Sequence, residues 1–243
     1  MFPNFIRFVL NLFDLIYQKK IINFLKKNSD IKNIVDVGGH RGETIKMFLR
    51  NFSLNSIFSF EPSKKNFEYI SSNLEDLRKK NKLTKIVIFN YGLGEKNFIT
   101  YLNNTAESSS STINAINKNS KYYKKKLKYL MVSDVDYIIK SELIHIKTLD
   151  NFFENESIKH IDLLKIDTEG YELKILKGIS KNFKNINYIY FEHHYDNMIK
   201  KNYVFSDIHY LLKSYNFRQV FKIKMPFRKT FEYIYQNNLY LSN

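Results

Sequence analysis

An apolar run carrying one acid, Ile34-Val35-Asp36-Val37, ends in three glycines within five residues, Gly38, Gly39 and Gly42. A segment of helical character, residues 43–49, follows directly. Strand, glycine turn and helix start together make a nucleotide-type cofactor site. The glycines let backbone approach a ligand, and the helix end offers unpaired N–H groups. The spacing is not the G-x-G-x-x-G of dinucleotide folds. About one strand later, Ser56-Ile-Phe-Ser-Phe-Glu61-Pro62 puts an acid at a strand's carboxyl end, where a carboxylate can hold a ribose diol. Asp36, two residues before the first glycine, suits the ammonium of S-adenosylmethionine (SAM). The plainer alternative is a βα turn with solvated acids.

Apolar and polar segments alternate along the rest of the chain at the interval of a doubly wound, mostly parallel α/β sheet. Strands are expected over residues 31–37, 56–60, 85–90, 161–166 and 187–191, with two more near 217–224 and 231–240. Helices are expected at 43–51, from Ser63 to about 78, at 150–156, from Tyr171 to about 179, and at 206–215. The middle is less regular. Residues 97–102 and 144–149 read as an extra hairpin, so an insertion occupies about 97–148 of a domain running from 31 to 243. Within it, residues 118–128 carry six lysines around Tyr122, Tyr123 and Leu127. They read as a solvated helix face or loop, or alternatively as a lid or a patch for an anionic acceptor.

Ligands of an open parallel sheet sit beyond the carboxyl ends of its strands. Four such ends carry polar clusters here: Gly38 to Gly42, Glu61, Asp167 to Glu169, and Glu192 to His194; the turn Tyr91-Gly92-Leu93-Gly94 adds a fifth. Asp167, Glu169, Glu192 and His193 are the candidates for orienting an acceptor hydroxyl and taking its proton. Asp167 could instead cap the following helix. His193 is the preferred imidazole, since its neighbours Glu192 and His194 point the other way on a strand. Lys165 has no assigned role. The same four residues could hold Mg²⁺ through oxygen ligands, but no spacing demands a metal. Transfer without one is the expectation, because a sulfonium is already an activated donor.

The absence of cysteine removes disulfides, thiolate metal sites and a cysteine nucleophile. A net charge of +15 suggests nucleic acid, but only six of the 39 basic residues are arginine, the better fork for phosphate and base edges. No nucleic-acid partner is expected. Residues 1–30 read as an amphipathic helical extension packed on the domain. Peripheral membrane contact through Phe2, Phe5, Phe8 and Phe13 is the alternative. No run reaches the ~18–20 apolar residues of a spanning helix, and no signal peptide is evident, so a cytoplasmic location is expected.

In five segments the chain resembles the FkbM family of SAM-dependent methyltransferases. They are Ile34 to Thr44, Ser59-Phe-Glu-Pro-Ser63, Asn90-Tyr-Gly-Leu-Gly-Glu95, Ile146-Lys-Thr-Leu-Asp150, and Ile161 to Gly178 with its Leu-Lys-Ile-Asp-Thr-Glu-Gly core. The resemblance covers about residues 31 to 195. It implies a class I methyltransferase sheet, Rossmann-like, with an antiparallel last strand, and O-methylation of a hydroxyl on a sugar, glycan or polyketide-like acceptor. Asp36, Gly38, Gly39 and Gly42, with His40 between them, match the SAM motif, and Glu61 matches the ribose acid. Gly92 falls in the third matching segment and is counted with the cofactor site. Asp167 and Glu169 match the late acidic motif. An NAD-linked oxidoreductase and a non-catalytic SAM-binding scaffold are the competing readings.

Overall fold

The computed structural model describes residues 16–226 and 228–240. The Phe2, Phe5, Phe8 and Phe13 membrane contact considered above lies outside them. A helix covers residues 16–28 (α1), followed by β1 (Asn33–Val37), α2 (Glu43–Asn51), β2 (Ser56–Phe60), α3 (Lys64–Ser72), α4 (Leu74–Lys80) and β3 (Lys85–Phe89). The central part holds β4 (Gly92–Leu93), β5 (Phe98–Thr105), α5 (Lys121–Leu130), α6 (Asp134–Tyr137), β6 (Ile138–Lys147) and α7 (Leu149–Asn155). The chain continues through β7 (Ile161–Ile166), α8 (Glu172–Lys177), β8 (Ile186–His194), α9 (Phe205–Ser214), β9 (Phe217–Lys224) and β10 (Thr230–Asn237).

Seven strands form one sheet in the order β3-β2-β1-β7-β8-β10-β9. The five from β3 to β8 are parallel, and β10 runs antiparallel to both neighbours. The expected α/β sheet, doubly wound with an antiparallel last strand, is therefore present. The reversal of strand order between β1 and β7 opens the crevice in which such sheets take ligands.

Both faces are covered, which is why the central strands read as mostly apolar runs, interrupted by Asp36 in β1 and by Asp162 and Lys165 in β7. Val35, Val37, Leu164, Ile166 and Phe191 pack toward Phe152 and Phe153 of α7, Leu176 of α8 and Leu212 of α9. Ile34, Ile57, Leu163 and Tyr188 face the other way, against Phe48 of α2, Ile70 of α3, and Tyr17, Ile21 and Leu25 of α1. Thus α1 forms part of the sheet's second layer.

The long helix expected from Ser63 to 78 is two helices broken at Asn73, whose side chain donates to the Tyr69 carbonyl at 2.8 Å. That side-chain bond competes with the next helical turn. Between β3 and β7, β4, β5 and β6 form a separate three-stranded sheet. The expected hairpin is the antiparallel pair β5–β6, and β6 begins earlier than expected, at Ile138. Helix α5 closes a small core of its own, in which Tyr123 and Tyr137 pack with Met198 and Ile199 from the segment after β8. Among the described residues, no helix is long and apolar enough to cross a membrane.

Candidate active site

The chain leaves β1 through Gly38, at φ +92°, and a Cβ there would lie 2.0 Å from the Asp167 carbonyl oxygen. The ends of β1 and β7 are held together at this point by the Asp167 amide, which donates to the Val37 carbonyl at 2.9 Å. Only glycine permits both the left-handed backbone and the close approach. At Gly39 a Cβ would meet Ser59 Oγ at 2.2 Å.

Beneath the turn a polar row crosses the sheet. Register aligns Ser59, Asp36, Lys165 and Tyr190 on four adjacent strands, so their side chains share a face. The Ser59 hydroxyl donates to Asp36 at 3.0 Å. The Lys165 ammonium donates to Asp167 at 3.2 Å and reaches Asp36 at 3.5 Å. Tyr190 donates to Glu232 of β10. Burial works against the charge on Lys165, yet Asp167 and Asp36 hold it above the ordinary lysine range. Burial would likewise raise Asp167, but Lys165 holds its carboxylate below the usual range. A buried lysine flanked by two acids is a paired charge, the form in which such groups are tolerated.

Two cavities open on this edge. The smaller, about 470 Å³, is lined by Gly38, His40, Glu61, Gly92 and Thr112 among others. Glu61 is 6% exposed and accepts the His40 amide at 2.7 Å on one carboxylate oxygen and the Ser63 amide at 2.9 Å on the other. Burial pushes its carboxyl up to about 7 despite those two donors. The Asn66 side chain adds a further hydrogen bond to this carboxyl, which lines the cavity. His40 Nε2 lies 2.8 Å from Ser108 Oγ, tying the loop after β5 over this site.

The larger cavity, about 1370 Å³, is bounded by α1, α5, β8 and β10. Its floor carries a second charged cluster. His194 Nε2 lies 3.4 Å from Glu169 and 3.2 Å from Glu192. Burial opposes charge on His194, but the two carboxyls prevail and raise it to about 10, so the ring is an imidazolium at neutral pH. Burial raises both carboxyls above the usual range, Glu192 furthest. Glu169 has a left-handed backbone, φ 50°, ahead of Gly170 at φ 91°, and this tight turn brings its carboxylate back over the strand end. Asp167 and Glu169 line both cavities, as do Gln18, Thr44 and Ser109, and so supply the acids of the boundary between them.

Among the expected catalytic residues, Asp167, Glu169 and Glu192 come together. His193 does not join them. It points to the opposite face of β8, 3% exposed, among the rings of Tyr195, Tyr203 and Phe205, and burial depresses its pKa to about 3. The imidazole facing the cavity is His194, as strand alternation requires once Glu192 faces it. Among the expected cofactor residues, Gly38, His40, Glu61 and Gly92 line the smaller cavity. Asp36 is wholly buried and engages Ser59 and Lys165 behind the turn, while Gly39 and Gly42 shape the backbone without reaching the lining. No group of three or more His, Asp or Glu side chains among the described residues has the arrangement of a metal cage.

Besides His194, three participants were not assigned from sequence. Lys165 carried a signal, a lysine inside a buried strand. Gln18 of α1, which lines both cavities, carried none. Lys126 lay hidden in the lysine run; its side chain is 12% exposed and pairs with Glu107 at 2.7 Å.

A family model described as the methyltransferase FkbM domain matches residues 36–219. The fold superimposes on the FkbM methyltransferase of Methylobacillus flagellatus KT with a TM-score of 0.52 at 16% identity, over 85% of this chain and 44% of that one. The chain thus spans less than half the length of that protein. It also superimposes on the magnesium protoporphyrin IX methyltransferase of Synechocystis PCC 6803, solved with bound SAM, with a TM-score of 0.51 at 8% identity, over 93% of this chain and 81% of that one. Likeness at these identities establishes the fold. No curated protein matches the chain.

Proposed function

The chain belongs to the FkbM family of methyltransferases, and from that premise we propose that it methylates a hydroxyl of a saccharide or related small molecule, with SAM as the donor. One observation carries the reading: a cavity of cofactor size and a larger one meet at a wall that carries Asp167 and Glu169. When bound, SAM supplies a methyl group activated by its sulfonium. The donor set of the smaller cavity fits it. Glu61 offers a carboxyl group to a ribose diol, and Gly38 and Gly92 leave the backbone bare beside it.

The remaining work falls to the larger cavity. A hydroxyl oxygen attacking the methyl carbon forms a C–O bond as the C–S bond breaks, its electron pair returning to sulfur. The hydroxyl proton must leave. Glu169 is the group we assign to take it, since it faces both cavities and burial raises its carboxyl above the usual range. His194 is already protonated and serves as a donor that steadies Glu169 and Glu192. Asp167, pinned by Lys165, orients rather than accepts. Alignment of acceptor oxygen, methyl carbon and leaving sulfur supplies the rest of the rate. The prolines are only Pro3, Pro62 and Pro226, so the Asx-Pro-Pro-aromatic loop of amino-methylating enzymes is absent, which favours oxygen over nitrogen as the acceptor atom.

The test is incubation of the purified chain with methyl-labelled SAM and fractionated cellular saccharides, lipids, RNA and small molecules. Label in the saccharide fraction is expected. Label confined to RNA, or tight binding of S-adenosylhomocysteine (SAH) with no label transferred to any fraction, would overturn the reading.

A further inference from the structure

Helix α5 turns Tyr122, Lys125, Lys126 and Tyr129 to the larger cavity, an i, i+3, i+4, i+7 stripe, while Tyr123 packs beneath the helix. The lysines of this helix and of the segment before it include two kinds. Lys126 pairs with Glu107, and Lys118 pairs with Asp134 at 2.7 Å. Lys121 and Lys125 are exposed at the cavity mouth, with Lys229 from the turn between β9 and β10, and these three take part in none of the ion pairs among the described residues.

The floor is different. Most of its acids are partnered from within, Asp167 by Lys165, Glu169 and Glu192 by His194, and Glu232 by the Tyr190 hydroxyl. An anion arriving at the mouth therefore meets three exposed ammonium groups ahead of the acids deeper in the cavity. The volume, about 1370 Å³, also exceeds the ~300–1,000 Å³ of common small-molecule pockets. The tyrosines on the α5 stripe offer flat apolar faces for sugar rings.

We propose that the acceptor is an acidic saccharide of more than one residue, held by a carboxylate or phosphate at Lys121, Lys125 and Lys229 while a hydroxyl further along reaches the Asp167–Glu169 wall. This rests on the methyltransferase reading and names the substrate class of the same site.

Calorimetry on the full chain loaded with SAH tests it, using trigalacturonate, its neutral methyl ester, maltotriose-6-phosphate and maltotriose as probes. An acidic probe is expected to bind at least tenfold tighter than its neutral counterpart, and to weaken as salt rises from 50 to 500 mM. The two acidic probes distinguish carboxylate from phosphate. The triple variant K121E/K125E/K229E should raise the Kd for the acidic probe at least tenfold and abolish the salt effect. The milder K121Q/K125Q/K229Q should lie between, and both should keep the SAH affinity of the parent. Equal binding of acidic and neutral probes, an unaltered Kd in the variants, or tighter binding of a single-stranded RNA oligonucleotide would overturn the inference. Failure of the parent chain to bind SAH would instead remove the methyltransferase reading itself, in an arm that needs no saccharide.

Discussion

The smaller cavity is built by backbone and the larger one by side chains. Gly38, His40, Glu61 and Gly92 are set by short turns at the ends of adjacent strands, and amide groups hold the one carboxylate that matters. The larger cavity draws on α1, α5, β7, β8 and β10, so Gln18, Lys126, Glu169, His194 and Glu232 converge from across more than two hundred positions. A site made by turns is inherited with the sheet. One made by distant side chains depends on what packs over the sheet, and can be altered without disturbing the first.

Single substitutions should separate the two. The largest effect is expected for Glu169→Gln, which keeps shape and removes the base. Turnover should fall by roughly 10²–10⁴-fold with SAH affinity within twofold; turnover within threefold of the parent would move the base elsewhere. Gly38→Ala should break the backbone-built cavity through the fold, because the new Cβ meets the Asp167 carbonyl at 2.0 Å and φ is +92°. Overpacking and left-handed strain together amount to about 2–5 kcal/mol, read as a drop in thermal midpoint. An unshifted midpoint would show that the strand ends can part freely. Glu61→Ala should weaken SAH binding by roughly 10–150-fold, the value of losing charged hydrogen bonds worth about 1.5–3 kcal/mol. Calorimetry reads this, with Glu61→Gln giving a smaller loss.

The smallest effect concerns pH. His193 has its pKa lowered to about 3 by burial, so its neutral form contributes stability that is present above about 6.5 and is lost as pH falls toward 3. His193→Phe should flatten the decline of the thermal midpoint across that window. His194, raised to about 10, contributes in the opposite sense, with stability present below about 6.5 and lost as pH rises through 10. An acid limb unchanged in the His193 variant would mean that its aromatic surroundings admit the charged ring.

Much of the sheet was legible. The strands at 56–60 and 161–166 have the expected bounds, because buried parallel strands are short apolar runs ended by turn residues, and the antiparallel edge strand at 217–224 also falls where expected. The break at Asn73 was not, since it lies in a side-chain bond to a carbonyl one turn back. Glu61 could be anticipated from its place at a strand end. The contacts of Asp36 could not be anticipated, because they depend on Ser59 and on Lys165, 129 residues away.

The chain's own residue order determined the alternation of strand and helix, the glycine turn and the acids at the strand ends, all of which follow from local periodicity and backbone freedom. It also determined that His193 and His194 must point to opposite faces. Which of them meets solvent was decided only in three dimensions. Tyr203 and Phe205 close over one face, while Glu169 turns back toward the other on a left-handed residue. A strand fixes relative direction every second residue, but burial belongs to the partner surface, and that surface comes from elsewhere in the chain.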